Sequence, residues 1–149
     1  MADRTRGYAH RIDILAPPAL VWRALLEPEL LAEWYAPGAR VSARAGGSFE
    51  IRLEGNLVRE AHIDVFDPGR RLRLIYLPPE DLPPSEHVIV DDFILSEEPG
   101  TAVLRLLGSG FPADDYEWEQ LYLRLRAGWG LALARMKVSL ERRVKAGTG

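Results

Sequence analysis

The sequence predicts an α+β fold: a curved antiparallel sheet of six or seven strands wrapped around a long C-terminal helix, with two short helices after the first strand. Three observations carry this. From about residue 40 to residue 107 apolar and polar residues alternate with a period of two, the pattern of half-buried antiparallel strands. From Pro112 to about Lys145 the period becomes that of one long helix with an apolar stripe. A stripe of that length needs an apolar partner, and the concave face of a twisted sheet is what the rest of the chain supplies.

The elements follow in order. Residues 8 to 15 read as a strand that ends at Pro17 and Pro18, where proline cannot donate to a ladder. Leu20, Val21, Ala24 and Leu25 then repeat at helical spacing, and Pro28 opens a second short helix ending near Trp34 or Tyr35. Phe49, Ile51 and Leu53 form a strand after a Gly46-Gly47 turn. Ala61, Ile63 and Val65 share one face of the next, opposite Glu60, His62 and Asp64. "DPGRR" is a turn, and Leu72, Leu74 and Tyr76 resume the alternation. After the proline-rich loop "LPPEDLPPSE", the stretches "HVIVDDFIL" and "TAVLRLL" flank a "SEEPG" turn as two further strands. "PADDYE" then supplies acids for the first turn of the long helix.

A chain of 149 residues, 47% hydrophobic, is sized for a single domain, with an ordered core expected from about residue 8 to residue 145. Without cysteine it can hold neither a disulfide framework nor a thiolate centre. The net charge of −3, with both signs interspersed, argues against nucleic acid as a partner. The basic "LERRVK" reads instead as complementing the negative end of a helix. The polar start "MADRTRGYAHR" and the short apolar runs argue against a leader or membrane insertion, so a cytoplasmic location is expected.

No catalytic constellation emerges. Ser48, Ser109 and Ser139 fall at a strand start, in a loop and on a helix face, with no nucleophile elbow. His10, His62 and His87 lack metal-ligand spacing, and His62 lies on a polar strand face. No metal and no cofactor is called for. Asp91 and Asp92 are more telling, because adjacent strand residues point to opposite faces and whichever face is buried receives a carboxylate. Asp91 is in phase with Ile89, Phe93 and Leu95. Three roles stay open for a buried carboxylate there: a salt-bridged structural group, an acceptor that orients a ligand, or a general acid or base.

The stretches "VWRALLEPELLAEWY", "AGGSFEIRL", "DPGRRLRLIY", "SGFP" and "GWGLALARMKVSLE" stand in the order seen in the START-like, helix-grip superfamily often called SRPBCC. From about residue 8 to residue 142 the chain most resembles its heat-shock-protein-90 ATPase activator homologue branch. The resemblance implies a deep cavity between sheet and helix that holds a small apolar or amphipathic molecule. Superfamily members include lipid carriers, hormone receptors and polyketide cyclases. It also places Asp91 on the cavity side, along with a lining drawn from Trp34, Tyr35, Phe49, Ile51, Tyr76, Phe93, Trp118 and Trp129. A small-molecule binding protein, monomeric or homodimeric, is the leading expectation. A cyclase or dehydratase using cavity acids is one alternative, and a chaperone-associated interaction module is another. The Asn-rich and Trp-His-Trp activating motifs of the eukaryotic co-chaperones do not occur in this sequence.

Within the long helix, Tyr122, Leu125, Trp129, Leu133, Met136, Leu140 and Val144 fall on one stripe. Gly128 and Gly130 bracket Trp129 at the stripe's shoulders, and each costs roughly 0.8–1 kcal/mol of helix propensity against alanine. Either the bare shoulders admit close packing of the sheet or short helices, or they leave room for a ligand beside the indole.

Overall fold

A computed structural model describes residues 4–147. The chain runs β1 (Thr5–Ile14), α1 (Pro18–Leu26), α2 (Pro28–Trp34), β2 (Gly38–Val41), β3 (Ser48–Arg52), β4 (Val58–Asp67), β5 (Arg71–Tyr76), β6 (Val90–Glu98), β7 (Thr101–Pro112) and α3 (Tyr116–Lys145). All pairings are antiparallel, in the order β1-β7-β6-β5-β4-β3-β2. The seven-stranded sheet, the two short helices and the long C-terminal helix make a helix-grip fold, as the sequence predicts.

Local chemistry sets the helix ends. Pro18 and Pro28 occupy the first turns of α1 and α2, where a missing N–H costs nothing. The Asp115 side chain accepts from the Trp118 N–H at 3.0 Å, capping α3. Glu117 and Glu119 lie in its first turn, and Arg142, Arg143 and Lys145 in its last, each matching the helix dipole.

Five boundaries differ from the sequence expectation. β1 begins at Thr5 rather than residue 8. The seventh strand is β2, only four residues long on the sheet edge and without an apolar alternation to betray it. β6 begins at Val90, not His87. β7 runs on through "GSGFP" to Pro112, so Ser109 pairs with Val90 inside the sheet instead of sitting in a loop. Its glycines disguised it: Gly110 has φ 95°, and a Cβ there would overlap the Val88 carbonyl. α3 accordingly starts at Tyr116 rather than Pro112.

From α3 the side chains of Trp118, Tyr122, Leu125, Trp129, Leu133, Met136 and Leu140 are buried against the sheet and the short helices. Val144 is not; it is substantially exposed in the last turn. The last two steps of the stripe, from Met136 to Leu140 and on to Val144, are both of four residues, and each advances about 40° around the helix, which carries Val144 to the edge of the buried face. The Trp34 indole N–H donates to the Ala24 carbonyl at 3.0 Å and binds α2 to α1. Glu33 then ties α2 to α3, accepting from Ser139 at 2.8 Å and pairing with Arg143.

Candidate functional site

A polar cluster sits under the sheet's concave face, and strand period explains each member. Arg59 of β4 occupies the same inward phase as Ala61 and Ile63, and Asp91 of β6 is inward while Asp92 turns out to a bidentate pairing with Arg71 at 2.7 and 2.9 Å. Asp91 is fully buried. It accepts from the Tyr8 hydroxyl at 2.5 Å and the Tyr76 hydroxyl at 2.7 Å, with the Arg59 guanidinium at 3.5 Å. Arg59 reaches the Tyr35 hydroxyl at 3.5 Å and lies over the Tyr76 ring, 3.8 Å from its centre.

Tyr8 reaches Asp91 across an intervening strand because of a glycine. Gly108 of β7 pairs with both Tyr8 and Asp91, and a Cβ on Gly108 would overlap the Tyr8 ring. Its bare backbone is the gap through which the phenol crosses. Burial, and then the Asp91 charge, push the Tyr8 phenol far above its ordinary pKa. Burial likewise raises Tyr76 strongly and pushes Tyr35 up to about 12. Burial acts against the Arg59 charge, but the oxygens of Tyr76, Tyr35, Asp91 and Tyr8 outweigh it, so the guanidinium stays protonated. The cluster therefore holds a fixed cation and three neutral phenols throughout the physiological range.

Beside the cluster an open cleft of about 680 Å³ runs between the first half of α3, β4 and the proline-rich loop. Arg59 and Tyr76 face it from the sheet, Leu77, Pro79 and Leu82 from the loop, and Leu121 and Arg124 from the helix. Leu57 and Arg124 also border a smaller hollow of about 190 Å³ that continues along α3 past Tyr35, Gly128 and Trp129.

Of the nine expected lining residues, Tyr76 borders the larger cleft, and Tyr35 and Trp129 the smaller hollow. Asp91 lies directly beneath Arg59 and Tyr76, without a surface of its own in either space. Trp34, Phe49, Ile51, Phe93 and Trp118 border neither. Phe49 and Ile51 are sheet core; Trp118 donates its indole N–H to the Pro83 carbonyl at 3.0 Å, anchoring the proline-rich loop. The space between the sheet and the middle of α3 is filled: Trp129 stacks on Tyr35 at 4.4 Å and meets the edge of Phe93 at 5.5 Å. Its indole N–H is buried with no acceptor. At one end of the grip the structure has an open cleft.

Neither helix glycine is demanded by packing. A Cβ on Gly128 would meet nothing within 4 Å, and one on Gly130 only the His10 ring at 3.8 Å. Sequence reasoning passed over Arg59, Tyr8, Leu121 and Arg124. Arg59 alone had a signal, a cation in the inward phase of an otherwise apolar strand face. His62 is exposed on the outer face of β4, and no cluster of metal-ligating side chains occurs among the described residues. Among them, no helix is long and apolar enough to cross a membrane.

A long helix held in a seven-stranded antiparallel sheet, with a cleft at its mouth, defines a protein of the helix-grip class. The chain belongs to the family described as Activator of Hsp90 ATPase homolog 1-like protein, whose model matches residues 15–141. A protein from Mesorhizobium loti, MLL2253, shares the fold with a TM-score of 0.80 at 24% identity, over 92% of this chain and 98% of its own. The Aha1 dimer from Colwellia psychrerythraea gives 0.78 at 18% identity, over 91% and 96%. CalU16 from Micromonospora echinospora gives 0.71 at 22%, over 95% and 80%. At these identities the likeness is one of fold. No functionally curated protein matches the chain.

Proposed function

We propose that this is a cytoplasmic, single-domain binding protein for a small amphipathic molecule, which lays its apolar body along the 680 Å³ cleft and turns its polar end to Arg59 and Tyr76. The observation that carries the reading is the pairing of a cleft of ligand size with a fixed, neutralised cation at its floor. Leu57, Leu77, Pro78, Pro79, Leu82, Ile89 and Leu121 supply apolar wall, and Arg59 and Arg124 supply donors. A binding role is favoured over cyclase or dehydratase chemistry because Asp91, the acid such chemistry would use, is fully buried with its oxygens already engaged by Tyr8, Tyr76 and Arg59. A chaperone-facing role rests on family membership alone. The Colwellia relative, described as a dimer, makes a homodimer the assembly to test here as well.

Val58 and Leu77 are exposed on the cleft wall, so Val58→Glu with Leu77→Glu leaves the core untouched. Native mass spectrometry of copurifying metabolites, with titration of the anionic amphiphile 8-anilinonaphthalene-1-sulfonate, tests the reading. The wild type should bind one probe molecule, and the double variant about tenfold more weakly at an unchanged melting temperature. Absence of both a copurifying molecule and probe binding would overturn it.

A further inference from the structure

The face of α3 opposite the core carries an apolar seam. Tyr116 is 74% exposed, Leu123 44%, Leu131 64% and Val138 56%, and Ala127 and Ala134 lie exposed between them. At about 100° per residue all six fall within roughly 80° of arc, and from Tyr116 to Val138 the seam is about 33 Å long. These are four of the large hydrophobic side chains that the fold leaves in water, gathered on one helix face.

The seam is self-complementary. Laid antiparallel on a second copy with the two-fold axis at Ala127, Leu123 faces Leu131 of the other copy, Tyr116 faces Val138, and Ala127 faces its own counterpart. Charge follows the same register. On the flank bordering the clefts, Glu117 comes beside Arg135 of the other copy, although the two stand about 27 Å apart along a single helix and cannot meet within it. Both are exposed. The arginines nearest the axis, Arg124 and Arg126, come opposite Gly128 and Gly130, where no side chain obstructs them. On the other flank Glu119 and Lys137 also correspond, but Arg6 holds the first, and the Asp13 carbonyl and Glu141 hold the second.

We propose that the chain forms a two-fold symmetric dimer through antiparallel packing of α3 on α3 of a second copy, centred on Ala127. Gln120, Arg124, Gly128, Leu131 and Arg135 belong both to this face and to the walls of the clefts. The second copy's helix therefore runs along their rim.

Since the chain has no cysteine, single cysteines report the geometry directly. Under mild oxidation Ala127→Cys should crosslink to itself, while Leu123→Cys alone stays uncrosslinked and crosslinks when mixed with Leu131→Cys. Sedimentation should show Glu117→Arg and Arg135→Glu each weakening the dimer about tenfold, and an equimolar mixture of the two recovering it as a heterodimer. Circular dichroism of each variant confirms that the fold is kept. A wild type that sediments as monomer up to several hundred micromolar, a Leu123→Cys chain that crosslinks alone as readily as Ala127→Cys, or a mixture that recovers nothing overturns the proposal.

Discussion

Asp91 shows how far one residue could be read. Strand phase required a carboxylate on one face or the other, and the structure buries it with Arg59 and two phenols. What phase could not reveal is the partners, because Tyr8, Arg59 and Tyr76 come from three strands that only the assembled sheet brings together. Asp91→Asn leaves Arg59 buried without its counter-charge, at a cost of roughly 3 kcal/mol or more. Thermal denaturation should therefore show a melting temperature about 6–12 °C lower. Combining it with Arg59→Met should cost less than the sum of the two single changes, since the charge left unpaired by each is then gone. His10 gives a pH signature. It is half-buried with its Nε2 unpartnered, and burial lowers its pKa below the ordinary 6.5. As pH falls through 6.5 the unfolded chain takes up the proton first, so His10 makes stability decline from there down to its folded-state pKa. Urea titrations between pH 7.5 and 5 should show that decline, and His10→Gln should flatten it.

At the scale of elements, periodicity found α1, α2, six of the strands and α3, because each presents one apolar face to a single core. It failed where the backbone rather than the side chains carries the signal, in β2 and in the glycine-rich end of β7. The glycines around Trp129 were legible as an anomaly but not as a cause. With nothing within 4 Å of a Gly128 Cβ, and only the His10 ring at 3.8 Å from a Gly130 Cβ, alanine fits both sites. Gly128→Ala should stabilise the protein by about 0.8 kcal/mol, raising the melting temperature by roughly 2–3 °C in a calorimetric scan. A lower melting temperature would mean that something other than helix propensity governs the position.

At the scale of the whole molecule, the grip itself followed from composition and order, since an amphipathic helix of that length has no other surface to bury against. The cleft did not follow. Its walls are the proline-rich loop, the turn around Leu57 and one flank of α3, and no local pattern specifies how far apart a loop and a helix come to rest. Aromatic content pointed instead to the centre of the grip, where Trp129, Tyr35 and Phe93 turned out to pack on one another.

The strand order carries a consequence for how the chain reaches this state. β2 through β7 form a meander of sequential neighbours, in which β3 to β7 each pair with the strand just before them, whereas β1 is joined only to β7, with Ile14 against Ala102 and Thr5 against Pro112. During synthesis β1 leaves the ribosome before the strand it pairs with and has to wait for β7, with its row of N–H and C=O groups unpaired, before the sheet acquires its final edge. Closing a loop of that length is slow relative to hairpin formation. Tyr8 rides on that strand, so the Asp91 carboxylate receives its shortest hydrogen bond only when β1 has joined β7.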